Sequence, residues 1–460
     1  VDVKINNVTE NFPVEHHQSI YILSYILSVA RNWPMSDHRI KLFITLLVAL
    51  FISGCVAVAP ASNSAPVGNE SATATSAPTP VSTAIDVSVL TENAQGCLEE
   101  FDPTIDYFPQ KISINHAQLF QVEYHNSYKV VRTHAEGEYY VPISASDVYI
   151  LVQCGAPRPE LIDDLAEATI ITVPVERVST GNNEEVAALI ELGVADHIVS
   201  LGTPEYSSDA WHPKIKELMD DGTPVTRTAG AINLEAVVAA EPDVLFMLAW
   251  IGSQYENIVR ARELGIATVG HHLWLEPTPL ARAEWVKFFA LFFNQEAAAA
   301  SFFANVEQNY TTLSAQAQAE ADKPTAIFAD LGDSATVSSN DYLAHLLNDA
   351  GAINPFADPA GPHHPILLSL EEMVVQAENV DFWFTAQSNL LERASADAYR
   401  AVQQEQIYDH NKAQPLSGHS FYGDAIIRPD LLLQDFVSIL HPELLADYET
   451  IFFQSLFSQE

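Results

Sequence analysis

The chain has 460 residues, with 60 aspartates and glutamates against 21 lysines and arginines, a formal charge of −39. No basic cluster is present to neutralise a phosphate backbone, which excludes nucleic acid as a partner. Such an acidic surface favours cationic ligands or basic partner surfaces, and equally serves solubility.

Taken in chain order, residues 1–34 stand upstream of a complete export signal. Their apolar run, Ile20 to Ala30, is too short to span a bilayer. They read as a spurious upstream extension, with Met35 as the start. Residues 35–54 form the signal: charged residues Asp37, His38, Arg39 and Lys41, an apolar run from Leu42 to Ile52, then Ser53, Gly54 and Cys55. The ending resembles the bacterial lipobox, in which the cysteine is acylated. Cys55 is thus the expected lipidation site, anchoring the protein outside the cytoplasm on a bacterial membrane. That location excludes catalysts of cytosolic metabolism. Residues 55–85, rich in Ala, Pro, Ser and Thr, read as a disordered tether.

About 375 residues follow the tether, enough for two domains. Two further cysteines, Cys97 and Cys154, are expected to pair in an oxidising compartment. Residues 86–165 are dense in Val, Ile, Tyr and Phe with polar breaks, which is strand-and-turn chemistry. This stretch is expected to be a small β-rich extension, held to itself by the cysteine pair.

From Val173 short strands alternate with helices. Strand patterns cover 175–181, HIVSLG, PDVLFMLAW and IATVG; helix patterns cover 183–193, HPKIKELMDDG, 233–241 and ENIVRARELG. Alternation of this kind predicts a parallel α/β lobe over 173–279. From Leu280 to Lys323 there is neither Gly nor Pro, and Trp285, Phe288, Phe289, Phe292, Phe303, Val306, Tyr310 and Leu313 recur at helical spacing. The segment 280–323 is expected to be one connecting helix, about 60 Å long at 1.5 Å per residue. A second α/β lobe follows over 324–447. Its SLEEMVVQAENVDFWFTA echoes NLEAVVAAEPDVLFMLA of the first lobe. The fold class is therefore α/β: two parallel-sheet lobes joined by one long α-helix, with an N-terminal β-rich extension.

A lipoprotein signal, two α/β lobes and one connecting helix together resemble the iron-siderophore and cobalamin class of ABC-transporter substrate-binding proteins. The resemblance runs from Val173 to Leu445, through VERVSTGNNEEVAALIELGVADHIVSLG, EPTPLARAEWVKFFALFF, NDAGAINPF and RPDLLLQDFVSILHPELL. It implies a receptor that captures a metal chelate and hands it to an ABC permease, with no intrinsic cofactor and no catalysis. Cobalamin, haem or a free metal are the alternative ligands, and an extracytoplasmic metalloenzyme is the competing class. No HExxH, GxSxG or phosphate-loop motif is present to favour an enzyme. The resemblance also implies that one surface glutamate per lobe docks on the permease, here Glu235 and Glu371. Glu372, with Ser369, fits a capping box instead.

Ligands of parallel α/β lobes sit beyond the carboxyl ends of the strands. The candidates there are Arg227, Trp250, His271, His272 and Trp274 on the first lobe, and His363, His364, His419, Phe421 and Tyr422 on the second. Aromatic side chains suit a bulky chelate; the histidines could ligate a metal of unknown identity or be satisfied within the fold.

Overall fold

The computed structural model describes residues 96–138, 142–202, 213–228, 231–249, 252–392, 396–412 and 421–457. The signal, Cys55, the tether, Trp250 and His419 lie outside the described residues, as does the side chain of Arg227.

The first sheet is an antiparallel meander of β1 (Phe120–Tyr124), β2 (Tyr128–Glu138) and β3 (Pro142–Gln153), completed by β4 (Thr169–Val173) parallel to β3. It therefore extends past residue 165, the boundary expected from composition. A disulfide joins Cys97 to Cys154 across a separation of 57 residues. The chain-entropy estimate for such a loop is about 4 kcal/mol.

The first lobe follows as β5 (Val178–Ser179), α1 (Asn183–Glu191), β6 (Ile198–Ser200), α2 (Pro213–Asp220), β7 (Arg227–Thr228), β8 (Ala231–Ile232), α3 (Leu234–Ala239), β9 (Val244–Leu248), α4 (Gly252–Glu263) and β10 (Thr268–His271). Its sheet, in the order β10-β9-β5-β6, is parallel throughout. β9 is VLFML, buried at every position, as a central strand covered on both faces must be.

The connection is helical but in pieces: α5 (Pro279–Ala283), α6 (Trp285–Ala290) and α7 (Glu296–Ala319). The long helix therefore starts at Glu296, not at 280, and its 24 residues span about 36 Å. The break has a cause that no Gly or Pro marks. Asn294 takes a left-handed conformation (φ 53°), which asparagine tolerates better than most residues. Lys129 of β2 inserts its ammonium there, donating to the Leu291 carbonyl (2.5 Å), Asn294 Oδ1 (2.9 Å) and Glu296 Oε1 (2.7 Å).

The second lobe comprises β11 (Ala326–Leu331), β12 (Ala335–Val337), α8 (Tyr342–Asp349), β13 (Ile366–Leu368), α9 (Leu370–Ala377), β14 (Phe382–Thr385), α10 (Arg400–Gln403), β15 (Ile407–Asp409), α11 (Asp424–Ile427), α12 (Pro429–Leu440) and β16 (Gln454–Ser455). Its sheet, β13-β12-β11-β14-β15-β16, is parallel across β11, β14 and β15 and antiparallel towards both edges.

Residues Ile85–Glu460 pack as one unit. The N-terminal sheet is part of the main core rather than a separate leader. Phe120 meets Trp285 at 4.8 Å and Phe288 at 5.5 Å between ring centroids, and Tyr149 meets Phe292 at 6.5 Å. The Tyr149 hydroxyl donates to Asp147 Oδ2 (3.0 Å) and accepts from the Gly270 amide (2.8 Å). Two buried carboxylates grip the strand-entry segment. Glu284 accepts the amides of Asn115, His116 and Ala117, while Glu276 accepts those of Gln118 and Leu119.

Candidate functional site

The carboxyl end of β10 runs into a short 3-10 turn, Leu273–Leu275, which carries Trp274. Thr278 then caps α5 by accepting the Ala281 amide, and Pro279 sits where its missing N–H costs nothing. One turn later Arg282 points back beneath Trp274. Its Nε donates to the Glu276 carbonyl and its Nη2 to the Trp274 carbonyl, both at 2.8 Å. The guanidinium lies 5.2 Å from the Trp274 ring and 4.5 Å from that of Tyr342, a double cation–π arrangement.

The second lobe supplies the facing wall. Asp341 caps α8, accepting the amides of Leu343 (3.1 Å) and Ala344 (3.0 Å) through Oδ1, and Tyr342 follows it. At the carboxyl end of β11, Asp330 Oδ1 accepts the Thr385 hydroxyl and the Ala386 amide. Phe421 stacks on Phe328 (6.4 Å) and on His410 (4.3 Å), while Tyr422 stacks on Trp274 across the lobes at 6.0 Å. Between these walls lies a cavity of about 220 Å³, bounded by Trp274, Arg282, Asp330, Asp341, Tyr342, Phe421 and Tyr422 among others.

Behind Trp274 a polar cluster is sealed from solvent. The indole N–H donates to Glu184 Oε1 (3.1 Å), and Glu184 is only 2% exposed. Burial raises the Glu184 pKa to about 7, with Glu185 adding to the rise and His271 opposing it. Glu185 accepts the Gly181 and Asn182 amides and pairs with His271 Nε2 at 2.8 Å.

The sequence-expected residues separate accordingly. Trp274, Phe421 and Tyr422 are brought together on one cavity. His271 and His272 are not on its wall: both have zero exposure, and burial draws their pKa values to about 4, so they are neutral core side chains. His272 Nδ1 bonds to the Ala249 carbonyl. His363 is exposed beside Asn340, and His364 bonds to the Pro365 carbonyl; the cavity lining reaches Pro365 but neither histidine. Among the described residues, no three His, Cys, Asp or Glu side chains form a metal-holding group. Arg282, Asp341, Tyr342 and Glu184 were not expected from sequence. Arg282 falls within the segment 280–323 expected to be one helix, whereas Thr278 and Pro279 open a separate short helix. Glu235 and Glu371 are exposed in the first turns of α3 and α9, and no hydrogen bond among the described residues engages either carboxylate. Glu372 closes the capping box with Ser369.

Two α/β lobes with an aromatic cavity between them define a bilobed solute receptor. The chain belongs to the periplasmic binding protein family, the substrate-binding proteins of ABC transporters: the family model matches residues 178–414, just over half of the chain. The match begins at β5, so the N-terminal sheet lies outside it. Two uncharacterised lipoproteins of Methanocaldococcus jannaschii are similar. One is 25% identical over 342 residues, covering 70% of this chain and 83% of the relative. The other is 23% identical over 298 residues, covering 62% and 69%. Among solved structures, the vitamin B12 binding protein BtuF of Vibrio cholerae aligns with 60% of this chain and 99% of its own, at 14% identity and a TM-score of 0.42. CeuE of Helicobacter pylori, solved as a nickel–histidine complex, aligns with 61% and 87%, at 17% identity and 0.46.

Proposed function

We propose that this protein captures an iron chelate of the siderophore type between its lobes and delivers it to an ABC permease, held to the membrane by acyl chains on Cys55. The observation that carries this reading is the cavity itself. Aromatic faces from both lobes line it, which suits a ligand that buries apolar surface and needs few charge pairs. The chelate is cargo, and the protein supplies binding and orientation without a chemical step. The exposed Glu235 and Glu371, one on each lobe, are the proposed docking points for the permease.

The cavity of about 220 Å³ is smaller than the ~300–1,000 Å³ usual for drug-sized ligands. Entry of a chelate therefore parts Trp274 from Tyr422, an aromatic pair that bridges the lobes at this site. Titration with ferric siderophores, haem and cobalamin in turn tests the reading. A ferric siderophore is expected to quench tryptophan fluorescence, and Trp274→Ala to weaken its binding at least about tenfold, as loss of a stacked aromatic anchor does. Quenching by none of the three, or tight binding that Trp274→Ala leaves unchanged, contradicts it.

A further inference from the structure

We infer that the cleft selects a neutral or positively charged metal complex over an anionic one, and that Asp341 is the residue that reads this charge. The inference rests on the reading that the cleft holds a chelate.

Asp341 is 3% exposed and lines the cavity. Capping α8 uses only its Oδ1; Oδ2 is buried and has no hydrogen-bond partner among the described residues. Serine or asparagine would cap the helix as well without a charge, so capping alone does not account for an aspartate here. A buried carboxylate oxygen left without a donor is costly. Burial pushes the Asp341 carboxyl up, with the Ala344 amide, the nearby Ser338 side chain and Arg282 opposing that rise. A donor on the ligand, above all an ammonium, relieves the cost.

The rest of the wall points the same way. Asp330 directs Oδ1 to Thr385 and Ala386, and no hydrogen bond among the described residues engages its Oδ2. Arg282 is the cavity's one lysine or arginine among the described lining residues, and it is no open fork for an anion. Its Nε and Nη2 hold backbone carbonyls, and rings lie close by at Trp274 and Tyr342. Two carboxylates therefore line the cavity against one engaged guanidinium. The negative faces of the aromatic rings add to the preference for positive charge.

The test uses the full chain and a matched pair of probes: ferrioxamine B, a ferric trihydroxamate bearing a free ammonium, and the same complex with that amine acetylated. A trianionic ferric tricatecholate is the third probe. Asp341→Asn keeps the capping oxygen and removes the charge, and its thermal transition and circular dichroism verify that it folds. Wild type is expected to bind the ammonium form about tenfold tighter than the acetylated form and to reject the tricatecholate. In Asp341→Asn the two trihydroxamates should bind within about twofold of each other, the ammonium form having lost its charge-assisted bond. Equal affinity of the pair for wild type, discrimination that survives Asp341→Asn, or preference for the tricatecholate overturns the inference while leaving chelate capture standing. Binding of none of the three overturns the inference together with the reading beneath it.

Discussion

Behind the cleft, Glu184 holds Trp274 by its indole N–H while burial raises its pKa to about 7. In the unfolded chain the same carboxyl titrates near its ordinary value of 4.5. The folded state thus retains a proton between pH 4.5 and 7 that the unfolded state has released. Its contribution to stability is fully present below pH 4.5 and is lost as pH rises through about 7. The buried histidines have the opposite sign: with folded pKa values near 4, His271 and His272 favour the fold above their unfolded values and cease to do so as pH falls. Glu184→Gln retains an acceptor for Trp274 and leaves both histidines in place. The unfolding free energy of this variant minus that of wild type should rise by about 3 kcal/mol between pH 4.5 and pH 8. Denaturant titrations at several pH values measure it, and a difference that stays flat would show that Glu184 is not a high-pKa carboxyl. At this scale the sequence was legible for aromatics and deceptive for histidine. Trp274, Phe421 and Tyr422 announce themselves by size and by their place beyond strand ends. His271 and His272 share that place, yet whether an imidazole faces a cavity or the core depends on tertiary packing. Here Phe289 closes on His271 at 5.2 Å.

Among the elements, the helices α1 to α4 and α9 and the parallel strands β5, β6, β9, β10 and β14 were readable because hydrophobic period and capping agree along the chain, whereas the short antiparallel strands β7, β8, β12 and β13 were not expected. Ser369 with Glu372 marks α9, and Asn233, accepting the Ala236 amide, marks α3. The connecting helix was readable only in part. Its apolar spacing continues through 291–293, while the interruption comes from Lys129, more than 160 residues earlier in sequence. A long-range ion that captures a carbonyl leaves no local signature. The N-terminal sheet posed the same difficulty. Its strands were evident, but its attachment depends on Glu276, Glu284 and Glu296, all distant in sequence and all buried. Removing the sheet would strand these carboxylates in an apolar core and expose Trp285, Phe288 and Phe292. A chain beginning at residue 174 is therefore expected to lack a cooperative thermal transition. A soluble truncation that melts cooperatively and binds ligand like the full chain would make the sheet dispensable after all.

For the molecule as a whole, the internal echo of α3–β9 in α9–β14 places Glu235 and Glu371 at matching positions on the two lobes, both open to solvent. Neither carboxylate contributes to the cavity, so their removal separates capture from delivery. Glu235→Ala combined with Glu371→Ala should leave ligand affinity within about twofold of wild type, since surface changes away from packed features cost little. The same variant should abolish uptake through the permease. Transport at the wild-type rate would remove the docking assignment without touching the cleft. The whole-molecule plan was the most legible level, because two similar halves and a helical connection survive errors in any single boundary.

Native mass spectrometry tests whether the aromatic cavity between the lobes captures a metal complex, as we propose. Protein purified from its own host, or incubated with a small-molecule extract of that host, should carry one added mass with the isotope pattern of a metal complex. The variant Trp274→Ala, Tyr422→Ala, folded but without the aromatic pair that bridges the lobes, should carry none. An added mass without metal, or a metal complex retained equally by that variant, would show that this cavity does not capture a metal complex.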